Sequence, residues 1–184
     1  MTIVKQPIKN NSVMTWEMAA YNSAEELYKN INAYKKNQIY TLRYVIDHYI
    51  NSRFYLDVDG TNKFAEHKHL WTLLSSCALD IAKQFDITYL LTSSEILNTV
   101  IKKQKDYGHK NIARFGMTGL VIRVHDKVAR IENLMTKDKY YNSVADETLL
   151  DTLMDIIGYS IIAYMWLNNT FMYELEKQHE KTTA

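Results

Sequence analysis

Two aspartates, Asp151 and Asp155, lie four residues apart in an apolar segment that runs from residue 146 to residue 167. On a helix this spacing places both carboxylates on one face, where they can share a Mg²⁺ ion or bracket one guanidinium group. An ionised aspartate is rarely buried without a partner, so an apolar helix holds two of them only where a nearby group compensates their charge. The sequence therefore predicts a charged site on this helix.

Side chains that could compensate the two carboxylates lie upstream, on a predicted helix. Its residues 123–130 supply three cations and one further acid: Arg123, Lys127, Arg130 and Asp126. Two interpretations stay open. Asp126 and Glu147 would complete an oxygen-rich Mg²⁺ site with the aspartate pair. Alternatively, the basic side chains and the aspartates form a structural network of ion pairs.

A polar connection marked by glycine precedes this helix, and a helical bundle needs no such density of donors there. Gly108 lets the backbone approach a ligand, Tyr107 and Phe115 offer rings for a base, and the helix start near Gly116 presents N–H groups to phosphate. Lys102 and Lys103 are assigned instead to a solvated helix end, where lysines complement the dipole. The pattern predicts a phosphate- or nucleotide-binding site formed by Lys105, Tyr107, Asn111, Arg114, Arg123, Lys127 and Arg130.

Length and composition set limits on the class of protein. A chain of 184 residues predicts a single domain, and a net charge of +1 argues against an extended nucleic-acid surface. One cysteine, Cys77, excludes an internal disulfide, so a cytoplasmic location is expected. The longest apolar run, Leu153–Leu167, is short for a membrane span and contains Asp155, which predicts a soluble protein.

The fold class follows from the scarcity of helix breakers. Pro7 is the only proline, and the few glycines fall mostly where helices should end, so we expect an all-α bundle of about six helices with a long C-terminal helix. Ser23 and Thr118 are expected to cap the first and fifth helices. Residues 54–62 are predicted to form a loop or a small β-hairpin. The predicted helices cover about 23–35, 38–52, 64–85, 93–108, 118–135 and 145–176.

The C-terminal half carries a family resemblance. The residues concerned are Lys105-Asp-Tyr-Gly108, Asn111, Phe115-Gly116, Arg123, Asp126-Lys127, Arg130, Leu134, Asp151-Thr-Leu-Met-Asp155 and Gly158-Tyr159. Over residues 94–167 this pattern resembles the first type of nucleotide-modification-associated domain of phages and bacteria. The resemblance implies handling of a nucleotide, in phage nucleotide metabolism or DNA-base modification. Residues 1–92 hold no recognised motif, and residues 93–176 would form the nucleotide-site helices.

A weaker resemblance connects the helix pair to the all-α nucleoside triphosphate pyrophosphohydrolases of the MazG and dimeric dUTPase kind. Those enzymes carry paired acids on both helices, whereas the first helix here offers mainly cations. Three functions stay open. The first is a phage-type nucleotide-binding protein, with Asp151 and Asp155 as catalytic residues if it hydrolyses the nucleotide with Mg²⁺. The second is a non-catalytic binder that sequesters a nucleotide signal, for example in counter-defence in the host cytoplasm. The third is a structural or interaction protein.

Two further expectations concern the rest of the chain. The apolar segment Tyr164–Tyr173 predicts a homodimer, because it has more apolar surface than one bundle of this size should cover. The segment Phe54-Tyr-Leu-Asp-Val-Asp-Gly-Thr61 matches the opening motif of haloacid-dehalogenase-type phosphatases. That chemistry needs a parallel sheet, which a helical chain does not offer, so a turn is predicted there.

Overall fold

The computed structural model describes residues 13–34, 67–136 and 143–176. Within these ranges the protein has six α-helices, a short 3₁₀ helix at Thr88–Leu90 and no strand, which confirms the predicted all-α bundle. The α-helices are α1 (Trp16–Tyr34), α2 (Lys68–Gln84), α3 (Ser93–Tyr107), α4 (Lys110–Ala113), α5 (Gly116–Thr136) and α6 (Ser143–Leu167). The predictions for residues 38–52 and 54–62 lie outside the described residues.

Helix α6 forms the centre of the bundle. It packs against α1, α2, α3 and α5, and it is apolar on most sides because most of its surface meets another helix. By length and composition Leu149–Leu167 is apolar enough to cross a membrane, yet 67% of this segment is buried inside the bundle. That burial is typical of a core helix. The buried residues of α6 and of its neighbours form one hydrophobic core.

The apolar faces of α2 and α5 are buried, as the spacing of their apolar residues predicts. On α2 the buried face includes Leu70, Leu73, Leu74, Cys77, Leu79 and Ile81. Burial raises the pKa of Cys77 to about 12, with Asp80 adding to the effect. Cys77 is therefore a core residue and no nucleophile. On α5 the buried seam follows the steps of three and four that a helix–helix contact needs. Its members are Val121, Val124, Val128 and Ile131.

Two predicted helix starts are wrong. Helix α1 begins at Trp16, seven residues before Ser23, because the hydroxyl of Thr15 accepts a hydrogen bond from the Met18 N–H at 3.3 Å and caps the helix. Ser23 is buried within α1. Helix α5 begins at Gly116, so Thr118 lies inside its first turn. The predicted start of α3 at Ser93 is confirmed, with the Thr92 hydroxyl as its cap.

The last helix is shorter than predicted, and it ends at Leu167 rather than near residue 176. Asn169 adopts a left-handed conformation (φ 56°), which stops the helix and turns the chain back. The tail, residues 168–176, then packs on the bundle, with Phe171 buried near the rings of Trp16 and Trp166. The backbone N–H of Trp16 donates to the carbonyl oxygen of Glu174 at 2.8 Å, so the tail joins the start of α1.

Candidate functional site

A cavity of about 350 Å³ lies between α3, α5 and α6, and α4 contributes to its wall. This volume is at the lower end of the range for small-molecule sites. Apolar side chains and two tyrosines, Tyr107 and Tyr159, form part of the lining. The other polar groups of the wall are Lys103, Gln104, Asn111, Arg123 and Asp155, together with Thr99.

Helical spacing explains how one cavity collects these side chains. Lining residues of α3 and of α6 recur at steps of three and four, so each helix presents one stripe. The two helices approach closely at Gly158, where an added Cβ would lie 2.9 Å from Cγ2 of Val100. A side chain at position 158 would press the two helices apart, so glycine keeps this wall of the cavity closed.

Asp155 holds two lysines from two different helices. Nζ of Lys103 lies 2.5 Å from Oδ1, and Nζ of Lys127 lies 2.7 Å from Oδ2. The Asp155 side chain is only 15% exposed, and burial works to raise its pKa, but the hydrogen bonds from both lysines outweigh burial and hold the pKa below 3.8. Asp155 is therefore ionised at neutral pH, and the predicted partner Lys127 compensates its charge.

Lys103 adds to a prediction. Its side chain is 51% exposed, as expected at a solvated helix end, but its amine also binds Asp155, a role that the prediction did not include. A long side chain on a helix points back towards the N-terminus, and this direction brings the amine to Asp155 at the middle of α6. Burial works to lower the pKa of Lys103, but the bond to Asp155 raises it above 10.5, with smaller contributions from Tyr159 and Asp151.

Arg123 contacts Asn111 across the cavity wall. Its Nη2 donates to Oδ1 of Asn111 at 3.0 Å, which links α5 to α4 and orients the guanidinium group. This bond uses one of the five N–H donors that a guanidinium carries. Because both residues line the cavity, their remaining donors are well placed for an acceptor on a ligand.

Gln104 is a site residue that the sequence interpretation missed. It is only 4% exposed, and its Nε2 has no hydrogen-bond partner among the described residues. A buried N–H without a partner costs about 1–3 kcal/mol. The sequence signal that could have identified Gln104 is its position, because it continues the buried stripe of Ile96, Leu97 and Val100 on α3. A glutamine on the apolar stripe of an amphipathic helix indicates a buried amide.

The structure brings together five of the predicted site residues. Tyr107, Asn111, Arg123 and Asp155 line the cavity, and Lys127 binds Asp155.

Other predicted residues lie elsewhere. Nζ of Lys105 is 3.3 Å from Oε1 of Glu17 on α1, and Lys105 does not line the cavity. Arg114 lies over the exposed ring of Phe115, at 5.6 Å from the ring centroid. Arg130 is exposed and is likewise outside the lining.

The predicted metal ligands are not gathered in the part of the chain that the structure describes. Asp151 and Asp126 are exposed, and neither lines the cavity. The burial expected of two aspartates on α6 therefore holds for Asp155 and is wrong for Asp151. No three acidic, histidine or cysteine side chains meet in the described ranges, and the side chain of Glu147 lies outside them. A Mg²⁺ site with these four ligands stays a prediction.

The apolar segment behind the homodimer prediction is largely covered by the protein itself. Tyr164, Met165 and Phe171 are buried, whereas Met172 and Tyr173 are exposed. The homodimer stays a prediction.

Comparisons of the chain with protein-family models, with curated proteins and with solved structures gave no match. The resemblance to the nucleotide-modification-associated domain thus rests on the quoted residues alone.

Proposed function

We propose that the protein binds a free nucleotide, or a phosphorylated molecule derived from one, in the cavity between α3, α5 and α6. One observation carries this proposal: lysine and arginine side chains, tyrosine rings and a buried amide with no partner among the described residues share one cavity of small-molecule size. Phosphate and base each have a matching kind of group there.

The basic side chains supply the phosphate-binding part. Lys103 and Lys127 converge on the partly buried carboxylate of Asp155, and Arg123 lines the same cavity, so this region holds three cations and one carboxylate. Each ammonium group has three donors, of which Asp155 takes one, and the others can bind phosphate oxygens. The local excess of positive charge attracts an anion although the whole chain is nearly neutral.

The aromatic part of the cavity suits a base. Tyr107 is 66% exposed and Tyr159 is partly buried, and both line the cavity. An exposed tyrosine ring beside a cavity offers a flat apolar face on which a base can stack.

Binding without hydrolysis is the function that these contacts favour. Both oxygens of Asp155 are bound by lysines, so a metal ion would have to displace an ion pair before it could use this carboxylate. Sequestration of a nucleotide signal by a phage protein in the host cytoplasm is the role that such a binder would have. The phage context comes from the family resemblance.

Mg²⁺-dependent hydrolysis is the second candidate. One observation favours it: Asp151 lies near enough to Lys103 to help raise its pKa, so both predicted catalytic carboxylates act on the same amine. In this version Asp151 and Asp155 hold the metal, and the cations neutralise phosphate charge.

Calorimetry with a panel of ribo- and deoxyribonucleotides tests the proposal, with EDTA and, separately, with Mg²⁺. We expect affinity that survives EDTA and falls at least about tenfold in Lys103→Gln and Lys127→Gln, since each variant removes a charge-assisted bond. Lys102→Gln is the matched control, because Lys102 is exposed on the same helix. Binding that needs Mg²⁺, with turnover that Asp155→Asn abolishes, would favour hydrolysis. No binding under either condition would overturn both candidates and leave a helical interaction protein.

A further inference from the structure

We infer that the cavity takes a ligand with a single phosphate group, a nucleoside monophosphate, and that Asp151 and Asp155 set this limit by repelling further phosphates. The inference rests on the proposed nucleotide binding. It adds the number of phosphate groups on the ligand and the residues that restrict this number.

The cations of the site form one compact group. Lys103 and Lys127 bind the same carboxylate, that of Asp155, at 2.5 and 2.7 Å. Arg123 lines the cavity and precedes Lys127 by one turn of α5, which is about 6 Å along the helix axis. A phosphate monoester has a charge of about −1.5 to −2 at pH 7 and three acceptor oxygens, so one such group matches these donors.

The carboxylate of Asp155 lies at one end of the cavity. Asp155 is among the first α6 residues of the lining and Ile162 is the last, so the cavity extends from Asp155 towards the C-terminal part of α6. Tyr107 lies towards the other end, because the ring of His109, two residues later, packs against Phe171 beyond the end of α6. A base beside Tyr107 would place the first phosphate at the cations, and any further phosphate would have to pass Asp155.

Asp151 lies beyond that end of the cavity. It precedes Asp155 by one turn on the same side of α6, is exposed and does not line the cavity. Its charge acts on the site, because it contributes to the raised pKa of Lys103. A second or third phosphate would therefore leave the cations and approach two carboxylates. Like charges placed against a ligand are a means of rejecting it.

The balance of charge supports the same limit. The three cations and the two carboxylates leave an excess of one positive charge, which attracts one phosphate group but does not compensate a triphosphate. Arg130 follows Lys127 on α5, but it is exposed and outside the lining, so it does not extend the cation group within the cavity. The volume of about 350 Å³ is also at the lower end of the range for small-molecule sites.

Calorimetry in EDTA with the mono- and triphosphates of the same nucleosides tests the inference, since without Mg²⁺ a triphosphate keeps its full charge. We expect the wild-type protein to bind the monophosphate at least about threefold more tightly. Asp151→Asn should shift this ratio at least about threefold towards the triphosphate, and Asp151→Lys should shift it further. Both shifts should shrink at high salt, which screens exposed charges. Asp106→Asn is the control, because Asp106 is exposed on α3 outside the lining and the charge change is the same.

The Asp151 variants should melt within about 2 °C of the wild type, because the residue is exposed. Nucleotide binding that prefers the triphosphate, or a ratio that Asp151→Asn leaves unchanged, would overturn the inference and leave the proposed function standing. A triphosphate preference that Arg130→Gln removes would overturn it and assign the additional phosphates to α5. Tight triphosphate binding that needs Mg²⁺ and is lost in Asp151→Asn would overturn it in favour of a metal site. No binding of any nucleotide would overturn the proposed function and this inference with it.

Discussion

Nζ of Lys127 lies 2.7 Å from Oδ2 of Asp155, and this ion pair joins α5 to α6 beside the cavity. The other carboxylate oxygen binds Lys103 on α3. One aspartate thus holds together the three helices that enclose the cavity. The same contact keeps two amines beside the cavity for which we propose phosphate binding, so the stability of the wall and the charge of this region depend on one side chain.

Asp155→Asn should lower the free energy of unfolding by roughly 1–2 kcal/mol. Removing one partner of a buried ion pair costs several kcal/mol, but both lysines here are partly exposed and can be solvated, which reduces the loss. Urea denaturation followed by circular dichroism measures the change. Asp151→Asn is the control and should change stability by less than about 0.5 kcal/mol, since Asp151 is exposed. Equal losses in the two variants would contradict the assigned contacts.

The contribution of Asp155 should disappear in acid. Because its pKa in the folded protein is below 3.8, the stabilisation is complete above that value and is lost as the pH falls through the lower, folded-state pKa. The pKa of Lys103 is raised in the folded protein, so this lysine matters at alkaline pH. Its contribution to stability is complete below its ordinary pKa of 10.5 and is lost as the pH rises through its higher, folded-state pKa. Unfolding free energies measured from pH 2.5 to 7 should therefore show wild type and Asp155→Asn converging only below about 3.8. Convergence between pH 5 and 7 would point to another group.

Gly158→Ala should lower stability by about 1 kcal/mol. In a helix, alanine is more favourable than glycine by about 1 kcal/mol. However, the new Cβ would lie 2.9 Å from Cγ2 of Val100, and overpacking of this kind costs about 1–3 kcal/mol. The control is a double-mutant cycle with Val100→Ala, which removes the clashing methyl group. In that background Gly158→Ala should become stabilising by up to about 1 kcal/mol. Additive effects of the two substitutions would show that the helices do not touch there.

Phe171→Ala should cost roughly 3 kcal/mol, because the ring is only 1% exposed and packs near Trp16, Trp166 and His109. Met172→Ala is the matched control one residue later. Met172 is 63% exposed, so its truncation should change stability by less than about 0.5 kcal/mol. Thermal and urea unfolding of the two variants would separate them, and a small effect of Phe171→Ala would mean that the tail is only loosely attached.

Local patterns predicted much of the fold. The spacing of apolar residues on α2 and α5 depends only on helix geometry, so the buried faces were predictable. The end of α6 was not predictable from local patterns. It depends on a left-handed residue, Asn169, and on the packing of Phe171 against Trp16, which is far away in the sequence. The prediction that Ser23 caps the first helix was wrong for a related reason. A serine with a glutamate three residues later also fits inside a helix.

The site was predictable where neighbours in sequence share a face. Arg123 and Lys127 lie one turn apart on α5, on the same side of the cavity. Lys105 was misplaced because its partner Glu17 belongs to α1, 88 positions earlier, and nothing local shows that α1 lies beside α3. Lys103 was missed because one helix alone does not show which acid faces it.

The bond between the Trp16 N–H and the Glu174 carbonyl has a consequence for the order of folding during synthesis. The first described helix is made before its partners at Phe171, Glu174 and on α6, which follow much later in the sequence. Until then the indole of Trp16 and the apolar face of α1 have none of these contacts, and contacts of such long range form slowly. Although α1 also packs on α2 and α3, part of its apolar surface therefore stays uncovered until α6 and the tail have been made.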